Sequence, residues 1–389
     1  MSSATQTAQH GLSEHSHGAG VPIQTRYERL RSTNVADFPP VSPREEQWRY
    51  LSADRLAGLD ADTLAEFIGD LAVTHTDGVT TEWVGEDNAA FGGAGIPEER
   101  PSAAAWGSAK QAYLVTVPGN QKSDVQIALS SENADASAIH IIIDAKPFAE
   151  ATVILDHKGH AVLGENVEIL VGDEAQLTVI SIQDWDDSSV HASTQMARLG
   201  RNSRLKHLVV SLGGKVVRVA SSTEFTQPGG DTEMLGMYFA DAGQYLENRL
   251  YVDHAVPNCK SRVTYKGALQ GEKAHTVWVG DVLIRMAAEG TDTYELNRNL
   301  LLTDGARADS VPNLEIETGK IEGAGHASAS GRFDDEQLFY LQARGITEIE
   351  ARRLVVRGFL NEIIQQIDNE EIRERLSNSI EAELARSGS

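Results

Sequence analysis

With 389 residues, 57 acidic and 34 basic side chains and a formal charge of −23, the chain can bury a sizeable core. Its field repels phosphates, which argues against nucleic acid or an anionic membrane as a nonspecific partner. The single cysteine, Cys259, excludes an intramolecular disulfide and an all-cysteine zinc or iron–sulfur site within one chain, and it fits a reducing cytoplasm.

No apolar run reaches the roughly 18 residues of a spanning helix, and the opening residues lack the charged and apolar regions of a signal peptide. Residues 1–20 are small and polar, with His10, His15 and His17, and read as a disordered tail that cannot bury enough apolar surface to order itself. Residues 21–110 are expected to form a helical N-terminal region with an irregular loop. YERLRS, PREEQWRYLSADRL and DADTLAEFIGDLA follow helical spacing between the breaks at Pro39, Pro40 and Pro43. FGGAGIPEERP then interrupts any regular element.

From Ala112 to Glu317 the pattern changes to short β segments, among them AYLVTV, AIHIIID, LTVISI, KVVRVAS, RLYVDH and NLEIE, parted by polar turns. Similar turns start at Gly172, Gly200, Gly229 and Asn258, spaced by 28, 29 and 29 residues. Later relatives at Gly271 and Gly305 fall out of phase by about half a period. Such a recurrence predicts one coil per repeat of a β-solenoid over residues 111–333, whose open ends need capping. Residues 334–389 form a C-terminal helical domain of three helices: Asp334 to Arg344, Thr347 to Ile367 and Asn369 to Ala385. Thr347 and Glu350 make a capping box. Val355, Val356, Phe359, Leu360, Ile363, Ile364 and Ile367 form one apolar face for the solenoid or for a partner.

Two runs, PNCKSRVTYKG (Pro257 to Gly267) and DDEQLFYLQARGI (Asp334 to Ile346), resemble paired signatures of the SufB/SufD family of iron–sulfur cluster assembly proteins. A third, SPREEQWRYLS (Ser42 to Ser52), resembles the N-terminal segment of SufD more than that of SufB. The resemblance implies a right-handed parallel β-helix flanked by helical regions, paired with SufB through the β-helix cores, or with a second copy when SufB is absent. It implies a SufC ATPase docked on the C-terminal helices through Asp334, Asp335, Gln337, Leu338, Phe339, Tyr340, Arg344 and Gly345. The chain itself would then be non-catalytic and cytoplasmic, with no stably bound cofactor. Iron or a nascent cluster would sit transiently at the SufB interface, and reduced flavin would associate with the complex.

Individual residues can be weighed for chemistry. His326, in GAGHASASG, lacks bulky neighbours and offers imidazole as an iron ligand; a structural histidine is the alternative. The family match makes His326 a residue for metal or a nascent cluster, although HASAS replaces the HGAT or HEAT type of run. Cys259 lies in a turn beside Lys260 and near Arg262, where cations would favour a thiolate; a small buried hydrophobe is the competing reading. Glu315 and Glu317 alternate on one strand face and would complete a ligand set with His326, or form an exposed acidic face. Asp184, Asp186 and Asp187 resemble a loose cation loop, or a solvated turn. His157 and His160, without a clear third ligand, read as turn residues.

No GxxxxGK[ST] or GxSxG motif is present, so the chain lacks an ATP-binding loop of its own. A competing class is a β-helix enzyme of the carbohydrate-lyase or acyltransferase type. Neither a lyase's calcium cluster nor a strict hexapeptide repeat is evident.

Overall fold

The computed structural model describes residues 29–332 and 335–386. Its centre is a parallel β-solenoid of about eight turns. Strands Lys122–Ala145 and Glu150–Val171 each run across two sheets. From there every coil supplies one strand to each sheet. The front sheet continues through Gln176–Trp185, Arg204–Ser211, Asp231–Ala240, Lys260–Leu269, Asp292–Leu301 and Gly323–Arg332. The back sheet continues through Val190–Leu199, Val216–Phe225, Tyr245–His254, His275–Ile284 and Arg307–Ile316. Alternate residues such as Val153, Leu155, Val167, Ile169, Val179 and Val219 point between the sheets and form the main core.

The register explains the imperfect repeat. Front-sheet strands start in line at Gln176, Arg204, Asp231, Lys260, Asp292 and Gly323, so the coils are 28, 27, 29, 32 and 31 residues long. The turns at Gly172, Gly200, Gly229 and Asn258 lead into front-sheet strands, whereas those at Gly271 and Gly305 lead into back-sheet strands. The half-period slip is a change of edge within the coil, and the drift comes from the two longer coils.

The N-terminal segment is helical only in single turns, Val35–Asp37, Glu46–Trp48 and Ala53–Leu56, which corrects the expected helices over this stretch. DADTLAEFIGDLA instead leads into strand Asp70–His75, antiparallel to the first coil. Pairing with a free sheet edge outweighs helix propensity here, and the close approach needs Gly69, where a Cβ would lie 2.4 Å from the Ser130 carbonyl oxygen. The segment covers the back sheet: Trp48, Leu51, Leu56 and Leu59 pack on Val162, Val190, Val216, Tyr245 and Val277. Arg218, buried in that layer, lies 2.5 Å from Glu99 and 3.4 Å from Glu247, with the Trp48 ring across its guanidinium.

The glycine-rich loop is ordered by Glu168. Its carboxylate accepts from Gly92 N and Ala94 N at 2.8 and 3.0 Å and pairs with His140. The loop is followed by helix α1, Arg100–Ser108.

Three further helices close the chain: α2, Asp335–Gln342; α3, Glu348–Ile364; and α4, Glu370–Arg386. The Thr347/Glu350 capping box is present. The apolar face of α3 turns to the solenoid. Val356, Leu360, Ile363 and Ile364 join Leu376, Ile380 and Leu384 of α4 over Ile180, Ile182, Leu208, Val210, Met237 and Phe239 of the front sheet. Those strands are therefore apolar on both faces, as expected of a covered parallel sheet. Among the described residues no helix is long and apolar enough to cross a membrane.

Candidate functional site at the open end of the solenoid

The N-terminal end of the solenoid carries extra antiparallel strands, Asp70–His75 on the front sheet and Thr80–Val84 beyond Ala112–Val117 on the back. The other end is bare. Arg307–Ile316 and Gly323–Arg332 each pair on one side only among the described residues, leaving two adjacent edge strands with free backbone donors and acceptors.

His326 lies on the second of these strands and is exposed. Its place follows from register: Thr293, Glu295, Asn297 and Asn299 are the buried, inward residues of the preceding front-sheet strand, and their partners are Ala324, His326, Ser328 and Ser330. His326 therefore continues the inward row directly over Glu295. The interior beneath it is polar. Tyr238 OH donates to Asn299 Oδ1 at 2.6 Å, Ser310 Oγ donates to Asn297 Oδ1 at 2.6 Å, and Asn299 Nδ2 donates to Ser310 and Ser330 at 3.0 and 3.2 Å.

Glu295 stands outside this network. It is 1% exposed, and among the described residues neither carboxylate oxygen has a hydrogen-bond partner. Its carboxyl lies across Gly280 of the back sheet. Burial, with a further push from Asp281, raises its pKa to about 8, so at neutral pH it holds its proton. An exposed imidazole over a neutral buried acid can take up a cation with release of a proton. The row supplies two potential donors, and among the described residues no group of three metal-ligating side chains includes His326.

The other expected residues lie elsewhere. Glu315 points outward from the back sheet beside Leu283, and Glu317 accepts from Met286 N at 2.9 Å, so neither completes a set with His326. Cys259 is fully buried in the main core, and its Sγ lies 3.7 Å from the Gln227 carbonyl oxygen. Burial pushes its thiol up, and Arg262 is committed to Asp292 at 2.6 Å, which corrects the expectation of an accessible, cation-activated thiolate. Asp184 is paired with Arg375 and Asp187 with Gln244. His157 is no turn residue. It is buried inside the solenoid against Glu165, while His160 binds Ser188 at the surface.

Of the residues implied in ATPase docking, Phe339 and Tyr340 are exposed on α2, and Arg344 stacks on the Tyr340 ring at 4.4 Å. Gly345 takes a positive φ of 85° that ends the helix. Leu338 is buried with Ala351 against Leu300 and Leu302 and cannot face a partner. Asp335 and Gln337 fall within α2, and Asp334 lies outside the described residues. Ile349 and Leu354 of α3 are also exposed, adding apolar surface that the sequence reading passed over.

Comparison with known proteins identifies the family. Residues 127–359 match the family model "SUF system FeS cluster assembly, SufBD core domain". An iron–sulfur cluster assembly SufBD family protein of Mycobacterium tuberculosis is 50% identical over 92% of this chain and 92% of its own length. The chain belongs to the SufBD family. A SufBD family protein of Mycobacterium leprae is 51% identical over 94% of this chain and 96% of its own length. One from Synechocystis is 29% identical over 55% of this chain and 47% of its own length. In this SufBD chain the matched span takes in the polar inward row, the open edge, α2 and most of α3, and it stops short of α4. Glu295, absent from the expected site, was signalled by ELNRN, where Glu295, Asn297 and Asn299 occupy alternate positions that hold Val263, Tyr265 and Gly267 in the preceding coil.

Proposed function

We propose that the chain is the SufD-like, non-catalytic scaffold subunit of a cytoplasmic iron–sulfur cluster assembly complex. Its bare terminal edge pairs with the β-helix core of SufB, and its α2–α3 surface binds the SufC ATPase. The observation that carries this reading is His326, exposed in an inward row on an unpaired edge strand and seated over a buried acid without a partner. Two donors from one chain leave coordination positions for a second, so iron or a nascent cluster is held only when the edge is covered by the partner. Exposed Phe339, Tyr340, Ile349 and Leu354 support docking on α2–α3, since apolar side chains gathered on one helix pair mark a protein-binding face. Reduced flavin, if it joins the complex, belongs to the assembled form.

The test is copurification with SufB and SufC, followed by anaerobic measurement of iron and sulfide on wild type and His326→Ala. The scaffold reading expects an intact complex with a several-fold lower cluster content in the variant. Normal cluster yield would reduce the chain to a docking module for the ATPase. Failure to copurify would remove the partner assignment.

A further inference from the structure

Near the other end of the solenoid, six front-sheet strands from that of His326, three chemistry-bearing side chains meet in the dry interior. His157 and Glu165 lie on the long strand Glu150–Val171, one in its front-sheet half and one in its back-sheet half, and His191 lies on Val190–Leu199. All three point inward and are at most 1% exposed. One potential ligand atom from each lies within 4.8 Å of the others. His157 Nε2 is 2.9 Å from Glu165 Oε1, and His191 Nε2 is 3.4 Å from Glu165 Oε2.

The hydrogen bonds around the group fix which atoms face its centre. His157 Nδ1 donates to the Ile182 carbonyl oxygen at 2.9 Å, which leaves Nε2 as the nitrogen that faces Glu165 and shares a proton with it in a 2.9 Å hydrogen bond. His191 Nδ1 lies 2.7 Å from Gln183 Oε1, and the amide nitrogen of Gln183 donates to Ser181. Trp185 donates its N–H to that Nδ1 at 3.1 Å, so Nδ1 is engaged from two sides and Nε2 is the nitrogen left facing the group. That Nε2 is a buried nitrogen with no hydrogen-bond partner among the described residues. Glu165 Oε2 accepts from Ser193 Oγ at 2.6 Å. Each of the three side chains is thus oriented from behind by another group, the arrangement that holds metal ligands in place.

We infer that His157, Glu165 and His191 form a divalent transition-metal site, for Fe2+ or Zn2+, that ties the front sheet to the back sheet inside the solenoid. Two imidazoles and one carboxylate suit these ions and not Mg2+ or Ca2+, which prefer oxygen ligands. The spacing agrees. With metal–ligand bonds of about 2.0–2.1 Å, tetrahedral geometry puts neighbouring ligand atoms about 3.4 Å apart. The pair at 3.4 Å is already in place and the pair at 2.9 Å must open slightly. Glu165 buries a carboxylate, which calls for a cation; a metal ion held by the three side chains would supply that charge and displace the proton between His157 Nε2 and Glu165. The rings of Trp185, His157 and His191, 5.1 to 5.5 Å apart between centroids, wall the group from water.

The test uses the full chain carrying His10→Ala, His15→Ala and His17→Ala, so that the N-terminal histidines cannot contribute. It is refolded anaerobically with Co2+, and separately with Fe2+ or Zn2+, then dialysed. The site predicts one metal per chain, the intense visible bands of tetrahedral Co2+, and a melting temperature raised by Zn2+. His191→Ala should weaken retention at least 100-fold, while His75→Ala, at an exposed histidine, should leave it unchanged. Equal retention by His191→Ala and its parent would overturn the assignment. Should His191→Ala fail to fold, the parent alone decides: no stoichiometric metal and no Zn2+-dependent shift after refolding also overturns it, leaving a buried ion-paired cluster in its place. Comparing Fe2+ with Zn2+ retention identifies the preferred ion.

Discussion

Glu295 and His326 are Cα partners on adjacent parallel strands, which stacks an exposed imidazole on a buried carboxyl in one inward-facing row. The carboxyl has no hydrogen-bond partner, and burial followed by Asp281 moves its pKa from 4.5 to about 8. Below the lower value both folded and unfolded chains hold the proton. Between the two values only the folded chain holds it, and above the upper one the folded chain carries a desolvated charge. The raised pKa therefore contributes stability that is fully present below pH 4.5 and is lost as pH rises to about 8. A shift of this size corresponds to roughly 3–5 kcal/mol. Urea unfolding at pH 6 and pH 9 should show the loss in wild type, and Glu295→Gln should be much flatter. An unchanged pH slope in the variant would show that Glu295 is not the group responsible.

Arg375 of α4 makes two hydrogen bonds to Asp156 at 2.7 and 2.8 Å and a third to Asp184 at 3.0 Å. Asp156 is 2% exposed. Its burial opposes ionisation, but Arg375 outweighs it and holds the carboxyl below its usual range. Arg375→Ala leaves Lys158, 3.3 Å from the same carboxylate, to pair with it. A cost of about 2–3 kcal/mol is expected, together with faster proteolysis within α4. Asp156→Ala in that background should add much less than it does alone, and additive costs in the urea cycle would refute the coupling.

The solenoid was legible because its inward residues alternate and its turns repeat, and both are properties of single strands and single coils. The capping box at Thr347 was equally local. What escaped depends on which surface a segment meets. Residues 60–72 have helical spacing, but a free sheet edge lies within reach and turns part of them into a strand. Cys259 has cations as sequence neighbours, yet its side chain turns inward to the core. His157, Glu165 and His191 are separated by 8 and 26 residues, and only the coil length brings them together. His326 could be singled out by its small neighbours, whereas Glu295 beneath it needed the register between coils 31 residues apart.

The position of Cys259 has a chemical consequence. Its thiol is buried, its pKa is raised, and its sulfur faces the carbonyl oxygens of Gln227 and Pro257 at 3.7 and 3.6 Å. Reaction with a disulfide reagent requires exposed thiolate, so labelling of the native chain should be at least 100-fold slower than in urea. Cys259→Ser should cost about 1–2 kcal/mol, since a hydroxyl replaces a thiol in an apolar core. Labelling of the native protein at the unfolded rate would mean that the turn opens freely.

Two adjacent coils of the front sheet interlock through a reciprocal exchange of glycine and tyrosine. Gly236 is the partner of Tyr265, and Tyr238 is the partner of Gly267. Each ring lies across the opposing glycine, so that a Cβ at Gly236 or Gly267 would fall 1.9 or 1.8 Å from ring carbons. Neither glycine has a positive φ, so the backbone itself tolerates alanine and the demand for glycine is steric. Tyr238 cannot swing aside cheaply: it is buried, and its hydroxyl is bonded to both Asn297 and Asn299. Gly267→Ala is therefore expected to destabilise the fold by about 2–3 kcal/mol through overpacking. In a Tyr238→Ala background the same change should cost less than about 1 kcal/mol, because the ring that it strikes is gone. Measuring the four proteins by urea unfolding separates this from a backbone effect, which would give Gly267→Ala the same cost in both backgrounds.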